Sequence, residues 1–106
     1  MKKKQPGIAV IVPCYNEEAR LPVLAIAHFL QSQPHYRFVM VDDGSEDDTL
    51  GRFEALQSAV NEIQVHIVAL PRNCGKAEAT RQGLLYALRT YPKTDSLLIV
   101  MYAHAR

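Results

Sequence analysis

Four short apolar runs alternate with three amphipathic stretches along a chain of 106 residues, and that alternation restricts the fold more than anything else in the sequence. Ile8 to Val12 reads IAVIV. Phe38 to Val41 reads FVMV, with Tyr36 as a backward extension. Ile63 to Leu70 reads IQVHIVAL, and Leu97 to Tyr102 reads LLIVMY. Apolar runs this short and this rich in Val and Ile are how strands buried on both faces appear. Parallel strands need a crossover long enough for a helix, so strand–helix alternation predicts a parallel sheet with helices on its faces. The expected class is α/β, in a single domain over 1–106, since the length suits one core and no linker, repeat or low-complexity segment interrupts it.

The helical spacing predicts three inward faces. Leu21, Leu24, Ala25, His28 and Phe29 form the first, Leu50, Phe53, Leu56 and Val60 the second, and Ala77, Thr80, Leu84 and Leu88 the third. Asn16 is expected to cap the first helix, with Glu17 and Glu18 against the positive end of its dipole. Ser45 is expected to cap the second, with Asp48 three residues on as a variant of the capping box. Gly75 opens the third. Pro34 and Pro92 stop the first and third helices.

In open α/β sheets, ligands bind at the carboxyl ends of the strands. Pro13-Cys14-Tyr15-Asn16-Glu17 follow the first strand, Asp42-Asp43-Gly44-Ser45 the second, and Pro71-Arg72-Asn73-Cys74-Gly75-Lys76 the third, so the polar and glycine-rich residues gather at one edge. Two adjacent carboxylates repel one another, and Asp42 and Asp43 suit acceptance from a base N–H or a ribose hydroxyl. As an isolated motif, Asp-Gly-Ser is also ordinary turn chemistry. Gly75 lets a backbone approach a ligand closely, and Lys76 adds positive charge at a helix start, which suits a diphosphate. Taken alone, that segment reads better as a helix start with an exposed lysine. Arg72 and Arg81 are further phosphate candidates. Tyr15 is placed to stack on a base or to pack on the first helix. His28, His35 and His66 have no convergent partner in sequence, and Cys14 and Cys74 lack the His/Asp framework of a nucleophile. Neither Gly-x-Gly-x-x-Gly nor a Walker loop is present.

A net charge of +1 gives no field that would draw the chain to nucleic acid or to an anionic membrane. Lys2 to Lys4 are followed by Gln5-Pro6-Gly7 rather than by an apolar signal core, and no run reaches membrane-spanning length. Two cysteines, far apart and without metal-type spacing, fit free thiols in the cytoplasm, with neither a disulfide nor a zinc site.

IVPCYNEEARLP at Ile11 to Pro22, VMVDDGSEDDT at Val39 to Thr49 and NCGKAEATRQGL at Asn73 to Leu84 together resemble the three opening blocks of glycosyltransferase family 2, in order and spacing. By pattern the chain is similar to the polyprenyl-phosphate sugar transferases of that family. The resemblance runs from Ile8 to about Tyr102. It implies a GT-A-type, Rossmann-like three-layer sandwich, with a parallel sheet of about four strands in the order 3-2-1-4 and three helices. It implies a nucleoside-diphosphate sugar, UDP or GDP sugar, as donor for inverting transfer. The segment Pro13 to Glu17 would wrap the nucleoside, with Tyr15 and Glu17 near base and ribose. Asp42 or Asp43 would hydrogen-bond the base, and Asn73 to Lys76, Gly75 included, would close over the nucleotide.

At the end of the fourth strand the family carries Asp-x-Asp, which holds Mg or Mn on the donor diphosphate. Tyr102-Ala103-His104-Ala105-Arg106 stands there instead. Arg106 cannot ligate a cation, and His104 is a poor Mg ligand. The expectation is a truncated chain, without the catalytic and acceptor half, that does not transfer sugar alone. The competing designs are a metal-free contact of Arg106 with the diphosphate and a non-catalytic nucleotide-binding or regulatory module. A sheet left open at its fourth strand would be marginally stable and self-associate. A phosphorylation-switch receiver fits worse, because its acidic pair follows the first strand rather than the second.

Overall fold

The computed structural model describes residues 7–91 and 96–100. Its elements are β1 (Gly7–Cys14), α1 (Val23–Ser32), β2 (Tyr36–Asp42), α2 (Thr49–Ala59), a single 3-10 turn (Glu62–Gln64), β3 (Val65–Ala69), α3 (Lys76–Thr90) and β4 (Ser96–Val100). The strands pair in parallel in the order β3-β2-β1-β4. This is the α/β class that the alternation of elements predicts.

Side-chain parity along β1 divides the molecule into two cores. Val10, Val12 and Cys14 pack on one face with Val23, Ala27 and Leu30 of α1 and Phe53 and Leu56 of α2. Ala9 and Ile11 pack on the other face with Ala79 and Ala87 of α3. The adjacent β2 divides the same way, Phe38 and Met40 to the first core and Val39 and Val41 to the second. An apolar run without alternation is what a strand covered on both faces requires. Phe53 and Leu56 are fully buried, each stabilising the fold by about 1.5–3 kcal/mol relative to exposure.

Helix starts and faces depart from expectation at several points. α1 begins at Val23, not after Asn16. A helix begun at Asn16 would carry Pro22 in its interior, where the missing N–H and the ring both oppose it, and Leu21 before the proline is pushed out of the α region. Asn16 instead takes a left-handed conformation, φ 54°, which asparagine tolerates better than most residues. Glu17 and Glu18 therefore lie outside the first turn of α1, which contains no acidic residue. The inward face of α1 is Val23, Ala27 and Leu30, while Leu24 is 83% exposed and Phe29 is also exposed, its ring edge-on to Tyr36. α2 keeps its expected face, but Asp48 rather than Ser45 caps it, accepting from the Gly51 amide at 3.1 Å. α3 presents Ala79, Gly83 and Ala87 to the sheet, with Ala77 and Leu88 outside. Small residues face inward there because the helix lies close: a Cβ on Gly83 would stand 2.4 Å from Ile11 Cγ2.

The third strand starts at Val65. Residues 62–64 form the 3-10 turn, capped by the Asn61 side chain, which accepts from the Ile63 amide. Gln64 is buried and its amide group donates to the carbonyls of Leu30, Gln33 and Tyr36 at 2.8, 3.0 and 3.3 Å. Those are the end of α1 and the start of β2, so one side chain ties three elements. Pro34 follows α1 as expected. Pro92 lies outside the described residues.

Candidate functional site

The loops after β1, β2 and β3 meet at the carboxyl edge of the sheet. Pro13 is buried within β1, opposite Val41 of β2.

The first two loops are laced by side chain to backbone bonds. The Asn16 amide donates to Ser45 Oγ at 2.9 Å, and the Glu46 amide returns to Asn16 Oδ1 at 2.9 Å. The Glu17 amide donates to Oγ1 of the fully buried Thr49 at 2.8 Å. The Glu18 amide donates to Asp47 Oδ2 at 3.2 Å, and the Asp48 amide to Glu18 Oε1 at 2.8 Å. The Tyr15 hydroxyl donates to Glu46 Oε1 at 3.2 Å. That bond, followed by desolvation, raises the hydroxyl's pKa above its ordinary value. Burial works against the charge on Asp47, but bonds from the Thr49 hydroxyl and nearby backbone amides outweigh it and hold its carboxyl below the usual range. Asn16 and Ser45, read as helix caps in sequence, are thus the stitching between two loops.

Glu17 is almost wholly buried, and its carboxylate accepts from Arg20 Nε at 3.2 Å. Asp42 ends β2, its Oδ1 accepting from the Ser45 amide at 3.1 Å and its carbonyl from the Leu70 amide. Asp43 is fully buried. Its Oδ1 accepts from the Cys74 amide at 2.7 Å and its Oδ2 from the Gly75 amide at 3.1 Å. Asn73 Nδ2 adds bonds to the Asp43 carbonyl and Oδ2 at 3.1 and 3.3 Å. The acidic pair therefore has divided duties, one carboxylate closing its own turn and the other holding the third loop.

Gly75 has φ 95°, and a Cβ there would meet nothing within 4 Å. What it needs glycine for is the positive φ, with open space on that side. The Cys74 and Gly75 amides, which precede α3, turn toward Asp43. Lys76 is the first residue of α3 and half-buried at this edge. Arg72 is exposed on the third loop, whereas Arg81 pairs with Glu78 at 3.0 Å on the outer side of α3.

The structure thus brings Pro13, Tyr15, Glu17, Asp42, Asp43, Gly75 and Lys76 to one edge. His104 and Arg106 lie outside the described residues. Among the described residues, no three His, Cys, Asp or Glu side chains converge as a cation site. Cys14 is a buried cysteine and Cys74 an exposed one, and neither forms a disulfide. No helix of the described residues is long and apolar enough to cross a membrane. Sequence reasoning missed Thr49 and Asp47 as loop anchors, and a Thr just inside a helix start flanked by Asp residues is the signal that could have found them. It also missed the partner of His66, whose Nδ1 lies 2.9 Å from the Tyr86 hydroxyl, on the α3 face near the start of β3.

Comparison with known proteins covers this edge. Over 85 residues the chain is 38% identical to the dolichyl-phosphate beta-glucosyltransferase of Mus musculus, spanning 73% of this chain and 26% of that one. It is 39% identical over 87 residues to an undecaprenyl-phosphate 4-deoxy-4-formamido-L-arabinose transferase of Yersinia enterocolitica, spanning 76% and 25%. Among solved structures it resembles a mannosyltransferase of Pyrobaculum calidifontis in complex with GDP-Man and Mn2+, with TM-score 0.64, 26% identity, and coverage of 84% of this chain and 25% of that one. S. aureus TarS residues 1–349 gives TM-score 0.62 at 26% identity, covering 89% and 27%. The chain spans about a quarter of the length of these relatives, and the fold is of GT-A type. The model of glycosyl transferase family 2 matches residues 9–92, a span that contains all three laced loops, and the chain belongs to that family.

Proposed function

We propose that the carboxyl edge of this sheet binds the nucleoside diphosphate of a UDP or GDP sugar, as the donor half of an inverting sugar transfer. The observation that carries this is the convergence of three loops, tied by Asp43, on one edge of a GT-A sheet. GDP-Man in the P. calidifontis structure supports the donor class. The named polyprenyl-phosphate transferases support a lipid-linked phosphate as acceptor for the whole protein.

In this reading Pro13 to Glu17 form one wall of the nucleoside pocket, with the Tyr15 ring beside the base. Glu17 sets the shape of that wall through its buried amide and carboxylate. A carboxylate of the Asp42-Asp43 pair accepts from a base N–H. Gly75 leaves open space over the nucleotide, and Lys76 supplies positive charge for the diphosphate. A Mg or Mn ion would offset charge on the leaving diphosphate, but its donors are not found among the described residues. We further infer that this chain by itself does not transfer sugar, since His104 and Arg106 stand in sequence where the family has Asp-x-Asp. The setting proposed is cytoplasmic, in keeping with two cysteines that form no disulfide.

Titration of the purified chain with UDP, GDP and CDP, with and without Mn, tests this. The expected result is saturable binding of UDP or GDP, indifferent to Mn and weakened in Asp42→Asn beyond the range of the titration. Failure of both nucleotides to bind would overturn it, and turnover of a UDP or GDP sugar would overturn the inference of inactivity.

A further inference from the structure

We infer that Asp43 is a positioning residue: its carboxylate latches the β3–α3 loop against the end of β2, and it acts on nucleotide binding through that loop. This rests on the nucleotide-binding reading above and deepens it.

A fully buried side chain with two polar oxygens needs hydrogen-bond partners, and one short segment supplies several to Asp43. Cys74 and Gly75 give backbone amides, and Asn73 gives its side chain. These bonds span about thirty positions of sequence and join two loops that share no strand ladder at that point. The backbones also touch. Gly44 sits at φ 62°, and a Cβ there would lie 2.1 Å from the Arg72 carbonyl carbon and 2.3 Å from the Asn73 nitrogen. A residue with any side chain at 44 would hold the third loop away. Asp43 is itself fixed to the first loop, its amide donating to the Cys14 carbonyl at 2.9 Å. One residue thereby sets the spacing of all three loops that form the edge. Asp42 differs: its carboxylate accepts from the Ser45 amide, within its own turn.

The test combines nucleotide titration with amide hydrogen exchange on the whole chain, using UDP and GDP as probes. Asp43→Asn replaces one acceptor oxygen by an NH2 group, which faces N–H groups it cannot accept from. It is expected to speed exchange at Cys74 and Gly75 by about tenfold or more and to weaken nucleotide binding by a similar factor. Asp42→Asn is expected to weaken binding with exchange at Cys74 and Gly75 unchanged. Asn73→Ala, which leaves both carboxylates in place, is expected to speed the same two amides and weaken binding, and it carries the test if Asp43→Asn does not fold. Weakened binding in Asp43→Asn with Cys74 and Gly75 still protected would overturn the latch and make Asp43 a direct contact. Should the unaltered chain bind neither nucleotide, the nucleotide reading fails, and with it the role in binding, while exchange still decides whether the latch exists.

Discussion

Gly44 and Arg72 meet backbone to backbone: a Cβ on Gly44 would stand 2.1 Å from the Arg72 carbonyl carbon, and Gly44 itself has φ 62°. Both the closeness and the backbone angle exclude a side chain. Gly44→Ala is expected to destabilise the fold by about 2 kcal/mol or more, from left-handed strain together with overpacking. Urea unfolding of the two chains measures it. Equal midpoints would show that the two loops part without cost.

Gly83 of α3 poses the opposite question, because alanine favours helix by about 1 kcal/mol over glycine. A Cβ there would meet Ile11 Cγ2 at 2.4 Å and Val41 Cγ2 at 2.9 Å. Overpacking at about 1–3 kcal/mol outweighs the propensity gain, so Gly83→Ala is expected to be net destabilising. Ile11→Ala opens the space, and the double variant is expected to be more stable than the sum of the two single losses predicts. Strict additivity in a double-mutant cycle would contradict the contact.

These two glycines mark what is legible in sequence and what is not. β1 and β2 are legible because a strand covered on both faces leaves no polar positions. The gathering of Pro13, Tyr15, Glu17, Asp42, Asp43, Gly75 and Lys76 at one edge follows from parallel topology alone. The faces of α1 and α3 are less legible. Large apolar residues occur all round VLAIAHFL in α1, so spacing does not choose between Leu24 and Val23. In α3 the seam is made of Ala79, Gly83 and Ala87, small residues that carry little signal in a search for bulky ones. Asn16 and Ser45 have the chemistry of caps, but Pro22 displaces the first helix and Asp48 serves the second. Their side chains and amides are then free to stitch loops together, a long-range use that no local pattern encodes.

Gln64 is a polar residue whose value depends on burial. Its NH2 group serves the carbonyls of Leu30, Gln33 and Tyr36. Gln64→Ala would leave these acceptors without that donor and is expected to cost about 1–3 kcal/mol. Thermal or urea unfolding measures it, and a change under about 0.5 kcal/mol, the ordinary range for surface substitutions, would mean water replaces the amide at no cost.

His66 couples the fold to pH. Burial first, and the nearby Arg37 charge besides, lower its pKa from the ordinary 6.5, against a smaller opposing backbone bond. Among the described residues, Arg37 of β2 and Tyr86 and Tyr91, both on the α3 side, are titratable or charged groups that face it. As pH falls below 6.5, the unfolded chain takes up a proton that the folded chain resists. Stability is therefore expected to fall through that window and to be regained above it. His66→Gln, which keeps an acceptor for the Tyr86 hydroxyl, is expected to flatten this dependence. Unfolding curves at several pH values with identical slopes for both chains would rule His66 out as the source.

The most direct test of the central claim is the map of backbone amide shifts when UDP or GDP is added to the isotope-labelled chain. A nucleotide at the carboxyl edge is expected to move the amides of residues 14–17, 42–46 and 72–77, and to leave the start of β3 around His66 unmoved. Shifts centred elsewhere, or no saturable shift with either nucleotide, would contradict it.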